Sequence, residues 1–319
     1  MDEKAKKEIE RIAYLNWVNR GQPKGDPLAD WNAAYAFVVN GDPKLLHEKT
    51  RAASAGGVKS GATKPLAFPF GRPVAPCKPS ANGAKKFFIL GAYPSALHIK
   101  WSLPEKKKQI KALAVDNEPE PFWSGGESEA KLVASWKAAA GWKEAWGTAE
   151  PAGALNGSAG AWVEDNILQP LDIARTSAWI TDCLDTYRCS KALDGRIRDT
   201  YNPFAERAGL PLANLLQPPE EDQIVAEALE KQRPRLTGEL SAANPELVIT
   251  LGNAAFRVFQ RLVDAVEGEP GEELSAGVHA YGKKFKVKLG ARAVDWLPLA
   301  HPHSPNPYKK AHTAWLSRR

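Results

Sequence analysis

The sequence predicts an α/β protein: a three-layer α/β/α domain around a central, mostly parallel four-stranded sheet, preceded by a small helical unit. Three observations carry this. Four short apolar runs recur in the second part of the chain, at Phe87–Leu90, Ala178–Leu184, Leu247–Leu251 and Val294–Ala300. Helix-patterned stretches separate them, and strands alternating with helices build parallel sheets. The runs lack the polar alternation of a half-exposed strand, so each reads as a strand buried on both faces.

The chain divides by composition into residues 1–40, 41–84 and 85–319. In the first part Ile9, Ile12, Ala13 and Leu15–Trp17 recur near helical spacing up to Gly21. A second helix opens near Asp30 with Trp31, Ala34, Tyr35 and Phe37. Residues 41–84 are rich in Gly, Pro, Ala, Ser and Lys, too poor in apolar surface to offset their chain entropy. They read as a flexible linker whose second half drapes on the next domain.

The main domain opens with the strand Phe87–Leu90 and a sharp turn at Gly91–Ser95, where Pro94 blocks a regular helix start. Ser102–Leu113 is lysine-rich and reads as a surface helix. An acidic, Pro-rich loop holding Pro121, Phe122 and Trp123 follows, then an amphipathic helix with an extension over 128–146 and a helix from Ala161 to Leu171. Asp182 interrupts the second apolar run. Burying that carboxylate costs roughly several kcal/mol unless it is paired or used. The basic stretch after Leu184 reads as a loop. Pro218–Glu221 starts a helix that reaches about Leu240, kinked at Pro234 and ended by Asn244 and Pro245. Gly252 and Asn253 turn the third strand into a helix whose N-terminus can hold a phosphate. Phe285, Val287 and Leu289 alternate with lysines, as in an edge strand. The fourth strand ends in His301-Pro302-His303-Ser304-Pro305.

All four strand ends therefore carry unusual chemistry, and a parallel sheet gathers such ends on one edge, where α/β folds bind ligands. Other chemistry is thinner. Three cysteines, Cys77, Cys183 and Cys189, suit a reducing compartment and cannot build a four-cysteine metal or iron–sulfur site, so no cofactor is expected. No apolar run reaches the ~20 residues of a membrane span. The charged N-terminus lacks the apolar core of a signal peptide, which points to the cytoplasm. A net charge of +6 favours polyanionic partners. His98 reads as a solvent-facing residue, Cys183 as a core thiol and His303 as a loop residue.

Two resemblances can be drawn from these residues. The pattern Ile9, Ala13, Tyr14, Trp17, Gly21, Pro23, Gly25, Trp31 resembles a short bacterial domain of unknown function, which implies no activity. The set GAYPS at Gly91–Ser95, LVITLGNAA from Leu247 and LAHPHSP from Leu299 resembles the uracil-DNA glycosylase superfamily over residues 85–305, closest in layout to a branch that usually carries an iron–sulfur cluster. The resemblance implies a monomeric, nucleoid-associated bacterial enzyme that flips a damaged base, such as uracil or another deaminated base, out of DNA and hydrolyses its N-glycosidic bond. His301, Asp182 and Tyr93 would be catalytic. Gly91, Ala92, Pro94, Ser95 and Phe122 would bind the substrate, with Phe122 stacking on the base. Gly252, Asn253 and Ser304 would hold phosphates, and Tyr308 would wedge the duplex.

Departures from the family pattern give the alternatives their content. The opening motif often has an acid or Asn, where this chain has Ala92 and Tyr93. The base-reading strand usually offers Asn, whereas an ionised Asp182 only accepts hydrogen bonds. That favours a base edge with two donors, or a water-activating Asp182. A weak or inactive DNA-binding member of the same superfamily would show the same motifs. A small-molecule α/β enzyme would explain the Gly-rich turns but not Phe122 and the histidine ending together.

Overall fold

The computed structural model describes residues 9, 10, 12, 13, 33–35, 38, 65–103, 109–277 and 280–319. The chain divides into two units, Met1–Lys64 and Pro65–Arg319. In the first, helical positions Ile9 and Ile12 are buried with Ala33 and Ala34 of a second helical segment. Trp17 and Trp31 lie outside the described residues.

The second unit begins at Pro65, twenty residues before the expected boundary at Lys85. The late part of the supposed linker is built in: Ala67 exchanges backbone hydrogen bonds with Asn214, and Phe68 is wholly buried. Phe70 adopts φ 64° and inserts among Trp101, Trp136, Trp142, Trp146 and Tyr201. Two aromatic anchors in a Gly/Pro-rich stretch outweigh its low average hydrophobicity.

All four predicted strands form. They are β1 (Phe87–Gly91), β5 (Ala178–Asp182), β6 (Leu247–Leu251) and β9 (Arg292–Leu299). They pair in parallel in the order β5-β1-β6-β9. β1 and β6 are central, and Phe88, Ile89, Leu90, Val248 and Ile249 have no exposed surface. The sheet has six strands rather than four. β8 (Phe285–Leu289) adds antiparallel to β9, and β7 (Ala265–Glu267) adds outside β8. The predicted edge strand is thus covered, and a three-residue strand takes the edge. The Gly252–Leu262 helix packs on β6, β1 and β9, and the Arg233–Ala243 helix on β1.

A second, antiparallel sheet is new: β2 (Ala96–Ser102) lies between β3 (Gln109–Asn117) and β4 (Thr148–Pro151). β3 occupies 109–113, the last part of the expected Ser102–Leu113 helix, whose residues 104–108 lie outside the described residues. Leu97, Ile99 and Trp101 point one way from β2 and are buried, the two-residue period of a strand. This sheet carries its own aromatic core with the Ser128–Ala139 helix, and the expected extension follows it to Trp146. Five of the eleven tryptophans, 101, 123, 136, 142 and 146, belong to it.

The expected loop after Leu184 is largely helical from Lys191 to Ala208. Ser190 caps it by accepting from the Leu193 N–H, and Leu193, Ile197, Tyr201 and Ala205 recur every four residues on the buried face. Three helical runs continue past prolines 170, 203 and 234. Each opens into a wide π-turn just before, at Glu164–Leu168, Ile197–Tyr201 and Ala228–Gln232. The missing N–H and the ring bulk of proline forbid the regular bond at that point, and the wider turn absorbs both.

Candidate active site at the carboxyl edge of the sheet

Register sets the site. Gly91 lies opposite Asp182, and Leu251 opposite Leu299, so the parallel strands end nearly flush. A cleft of about 1090 Å³ opens there. It is lined by Ala92, Tyr93, Pro94, Ser95, Phe122, Asp182, Gly252, Asn253, His301 and Ser304, together with Tyr308. Of the predicted site residues only Gly91 is not on the wall. It acts from behind: a Cβ there would run into Asp182 Oδ1 and the Phe122 ring. Glycine is what lets the carboxyl and the ring close over this strand end.

Phe122 sits at φ 53°, a left-handed conformation that a bulky residue keeps only when its surroundings impose it. Arg175 imposes it. Its guanidinium donates to the carbonyls of Pro121 (3.1 Å) and Phe122 (2.8 Å) and pairs with Glu120 and Glu164, each at 2.9 Å. From the other side the helix start at Gly160 comes so close that a Cβ would strike the Phe122 and Trp123 carbonyls. The ring is thereby held 6.0 Å, centroid to centroid, from the His301 imidazole.

His301 is fixed by its own loop. Its N–H donates to Ser304 Oγ (2.9 Å), and its carbonyl accepts from the Ser304 N–H (2.8 Å). Nδ1 accepts from the His303 N–H at 3.2 Å, so the neutral ring carries its proton on Nε2. Burial, and then the neighbouring His303 ring, push its pKa down to about 3. The site therefore holds a neutral Nε2–H donor. Two supports reach it from elsewhere. Gly252, at φ 83°, would place a Cβ 3.0 Å from that of His301. Tyr281 Oη accepts from the Ala300 N–H (2.6 Å) and bonds the buried His312 at 2.7 Å.

Asp182 is 4% exposed, and its Oδ1 has no hydrogen-bond partner. Burial drives its pKa up to about 7 against the pull of Arg235, with Glu239 adding to the rise. Sequence reasoning missed a second carboxyl, Glu118, just beyond β3 and 7% exposed. It lines the same cleft as the Gly91–Ser95 turn. Burial first, then Asp182, raise its pKa well above the usual carboxylate range. The opening turn lacks an acid in its own sequence, and a different strand delivers one to it. Its only signal was position, four residues before Phe122 in a Pro-rich acidic loop. Arg188 was also missed. It lines the cleft, pairs with Glu227 at 2.8 Å, and leaves its buried Nε without a partner. Its charge opposes the burial that raises the Tyr93 pKa. His98 does not simply face solvent: it lines the cleft and is half-buried, its N–H bonded to Asn156 Oδ1 at 2.8 Å.

The phosphate candidates fare unequally. Ser304 Oγ accepts from His301 and keeps its own hydrogen to donate. The Asn253 side chain is committed, donating to Glu221 (2.6 Å) and accepting from the Leu274 N–H (2.9 Å). Glu221, Asp222 and Glu273 line the cleft nearby, and Arg257 pairs with the first two. A phosphate at the Gly252 helix end would meet that acidic rim. Among the described residues no group of three His, Cys, Asp or Glu is placed to hold a metal ion, and no helix is long and apolar enough to cross a membrane.

A family model described as "Protein of unknown function (DUF2934)" matches residues 6–36, within the N-terminal unit, and assigns no chemistry. No curated protein matches the chain.

Proposed function

We propose that residues 65–319 are a DNA N-glycosylase of the uracil-DNA glycosylase superfamily type, with the large sheet as the middle of three layers. It extrudes a damaged base into the cleft and hydrolyses its bond to the sugar, in base excision repair. The observation that carries this is the meeting of Tyr93, Phe122, Asp182 and His301, from four separate segments, around one opening. Breaking an N-glycosidic bond builds negative charge on the base and positive charge on the sugar. A neutral Nε2–H on a fixed imidazole suits the first, and it costs no reorganisation when the charge appears. Buried carboxyls suit the second. Phe122, clamped in an unfavourable backbone conformation, supplies a rigid face for an unstacked base. The net charge of +6 helps bring the polyanion to the protein.

The test is a panel of duplex and single-stranded oligonucleotides, each with one uracil, hypoxanthine or other altered base, scored for alkali-labile nicks. At least one lesion should be cut, and His301→Ala should lower the rate by about 100-fold or more, the scale of one lost transition-state donor. Salt-sensitive binding without any nick would make the protein a DNA-binding relative instead.

A further inference from the structure

We propose that His312 is a positioning residue for the histidine loop: from the C-terminal helix Asn306–Leu316 it orients the Tyr281 hydroxyl, which fixes the backbone at Ala300 and, through it, the His301 ring. Its effect on rate rests on the glycosylase reading above, and its effect on His301 does not.

β9 ends at Leu299, one residue before Ala300. The Ala300 N–H is held by a side chain, donating to Tyr281 Oη at 2.6 Å. Tyr281 and His312 are 3% and 2% exposed, and neither lines the cleft. They can reach a bound base only through what they hold in place.

The hydrogens of this chain have one arrangement. Burial lowers the His312 pKa, against the bond to Asn166, and keeps the ring neutral. Its Nε2 faces the Asn166 carbonyl at 3.2 Å, and a carbonyl only accepts. Nε2 therefore carries the hydrogen and Nδ1 is bare. Nδ1 in turn accepts from the Tyr281 O–H at 2.7 Å. That draws the Tyr281 hydrogen to the helix and leaves an oxygen lone pair for the Ala300 N–H.

The far end of the chain is anchored. Asn166 lies in the wide turn Glu164–Leu168, and Pro170, four residues on, has no N–H to give its carbonyl. His312 supplies a donor there. The Asn166 side chain donates to the Trp162 carbonyl at 2.9 Å. Trp162 at 5.1 Å, Trp315 at 5.3 Å and Tyr281 at 5.8 Å, centroid to centroid, enclose the His312 ring. Gly282, at φ 72°, lets the Tyr281 segment close on Trp315, where a Cβ would strike the indole. A ring that only filled this space would need no nitrogen, and burying two without partners would cost stability. Both nitrogens are used, and in one direction.

The test combines histidine-ring nitrogen resonances with single-turnover excision of the preferred lesion, for wild type, His312→Phe, His312→Asn and Tyr281→Phe. In the wild type near neutral pH, His312 should show a protonated Nε2 and a bare Nδ1. The other tautomer, or a charged ring, overturns the relay. His312→Phe keeps an aromatic ring and removes both nitrogens. It should shift the His301 resonances and lower the excision rate by about tenfold or more, while binding of an uncleavable 2′-fluoro uracil duplex stays within about threefold of wild type. His312→Asn puts an amide oxygen near the place of Nδ1, and should bring the rate back to within about threefold of wild type despite the lost packing. Tyr281→Phe should match His312→Phe, and the double variant should be no slower than either, because the links act in series. Where His312→Phe does not fold, Tyr281→Phe carries the same test. A native-like His312→Phe with wild-type His301 resonances and rate reduces His312 to packing and refutes the proposal, as does a His312→Asn as slow as His312→Phe. If the wild type cuts no lesion, the glycosylase reading falls, and the His301 resonances still decide the positioning.

Discussion

Asp182→Asn should change how folding stability depends on pH. The carboxyl is 4% exposed, and its pKa rises from 3.8 to about 7 in the folded chain. Below 3.8 it is protonated folded and unfolded, so burial of its charge costs nothing. Between the two values the unfolded chain releases the proton and the folded chain keeps it. Stability is therefore lost as pH rises through this window, by about 1.4 kcal/mol per pH unit. The full window of about 3 units amounts to roughly 4 kcal/mol. Asparagine does not titrate, and the strain of its unmet amide is the same at every pH. The stability of the variant minus that of the wild type should then climb by about 2 kcal/mol between pH 5 and 7, the slope easing as Asp182 itself begins to ionise. Urea unfolding of both proteins at several pH values measures it, because titrations away from Asp182 and Glu118 cancel in the difference. Parallel curves between pH 5 and 7 would show that Asp182 ionises as freely in the fold as out of it, and the desolvation argument would be wrong.

Other perturbations bear on the scaffold around the cleft. Gly91→Ala pushes a methyl group into Asp182 and Phe122, and should cost about 1–3 kcal/mol of stability and most of the excision rate. Arg175→Ala releases the Phe122 backbone from φ 53° and breaks two ion pairs. Base binding should weaken by about tenfold, read as raised Kd for an uncleavable substrate, while far-ultraviolet circular dichroism stays native. Tyr281→Phe leaves the buried Ala300 N–H without its acceptor next to His301, at a cost of about 1–3 kcal/mol in thermal unfolding, with a parallel loss of rate.

The four parallel strands could be read from the sequence because both their faces are buried, so apolar content alone marks them. Their chemically odd ends could be read for the same reason: Gly91, Asp182, Gly252 and His301 stand out against Ile and Leu. The β2–β3 pairing was hidden by the lysines at 106–108, although Leu97, Ile99 and Trp101 alternate in β2 as a strand requires. The helices after Leu184 were hidden by polar composition, while Leu193, Ile197, Tyr201 and Ala205 kept the four-residue spacing. β7, with three residues and no buried one, has no periodicity to detect. Arg188 carries no local signal, and Glu118 only its place four residues before Phe122. A carboxylate in an acidic loop reads as solvated until the second sheet folds over it, and an arginine in a basic stretch reads the same way. Phe68 and Phe70 teach the converse, that two rings can anchor twenty residues whose average composition argues against any fixed structure.

The central claim is that four strand ends form a receptacle for one extruded nucleobase. A crystal structure with a duplex containing 2′-fluoro uracil tests it most directly. The account predicts the uracil turned out of the helix, its face on Phe122, its hydrogen-bonding edge toward Asp182, and an oxygen within reach of His301 Nε2. A duplex bound with all bases stacked, or a flipped base held away from Phe122 and His301, would contradict it.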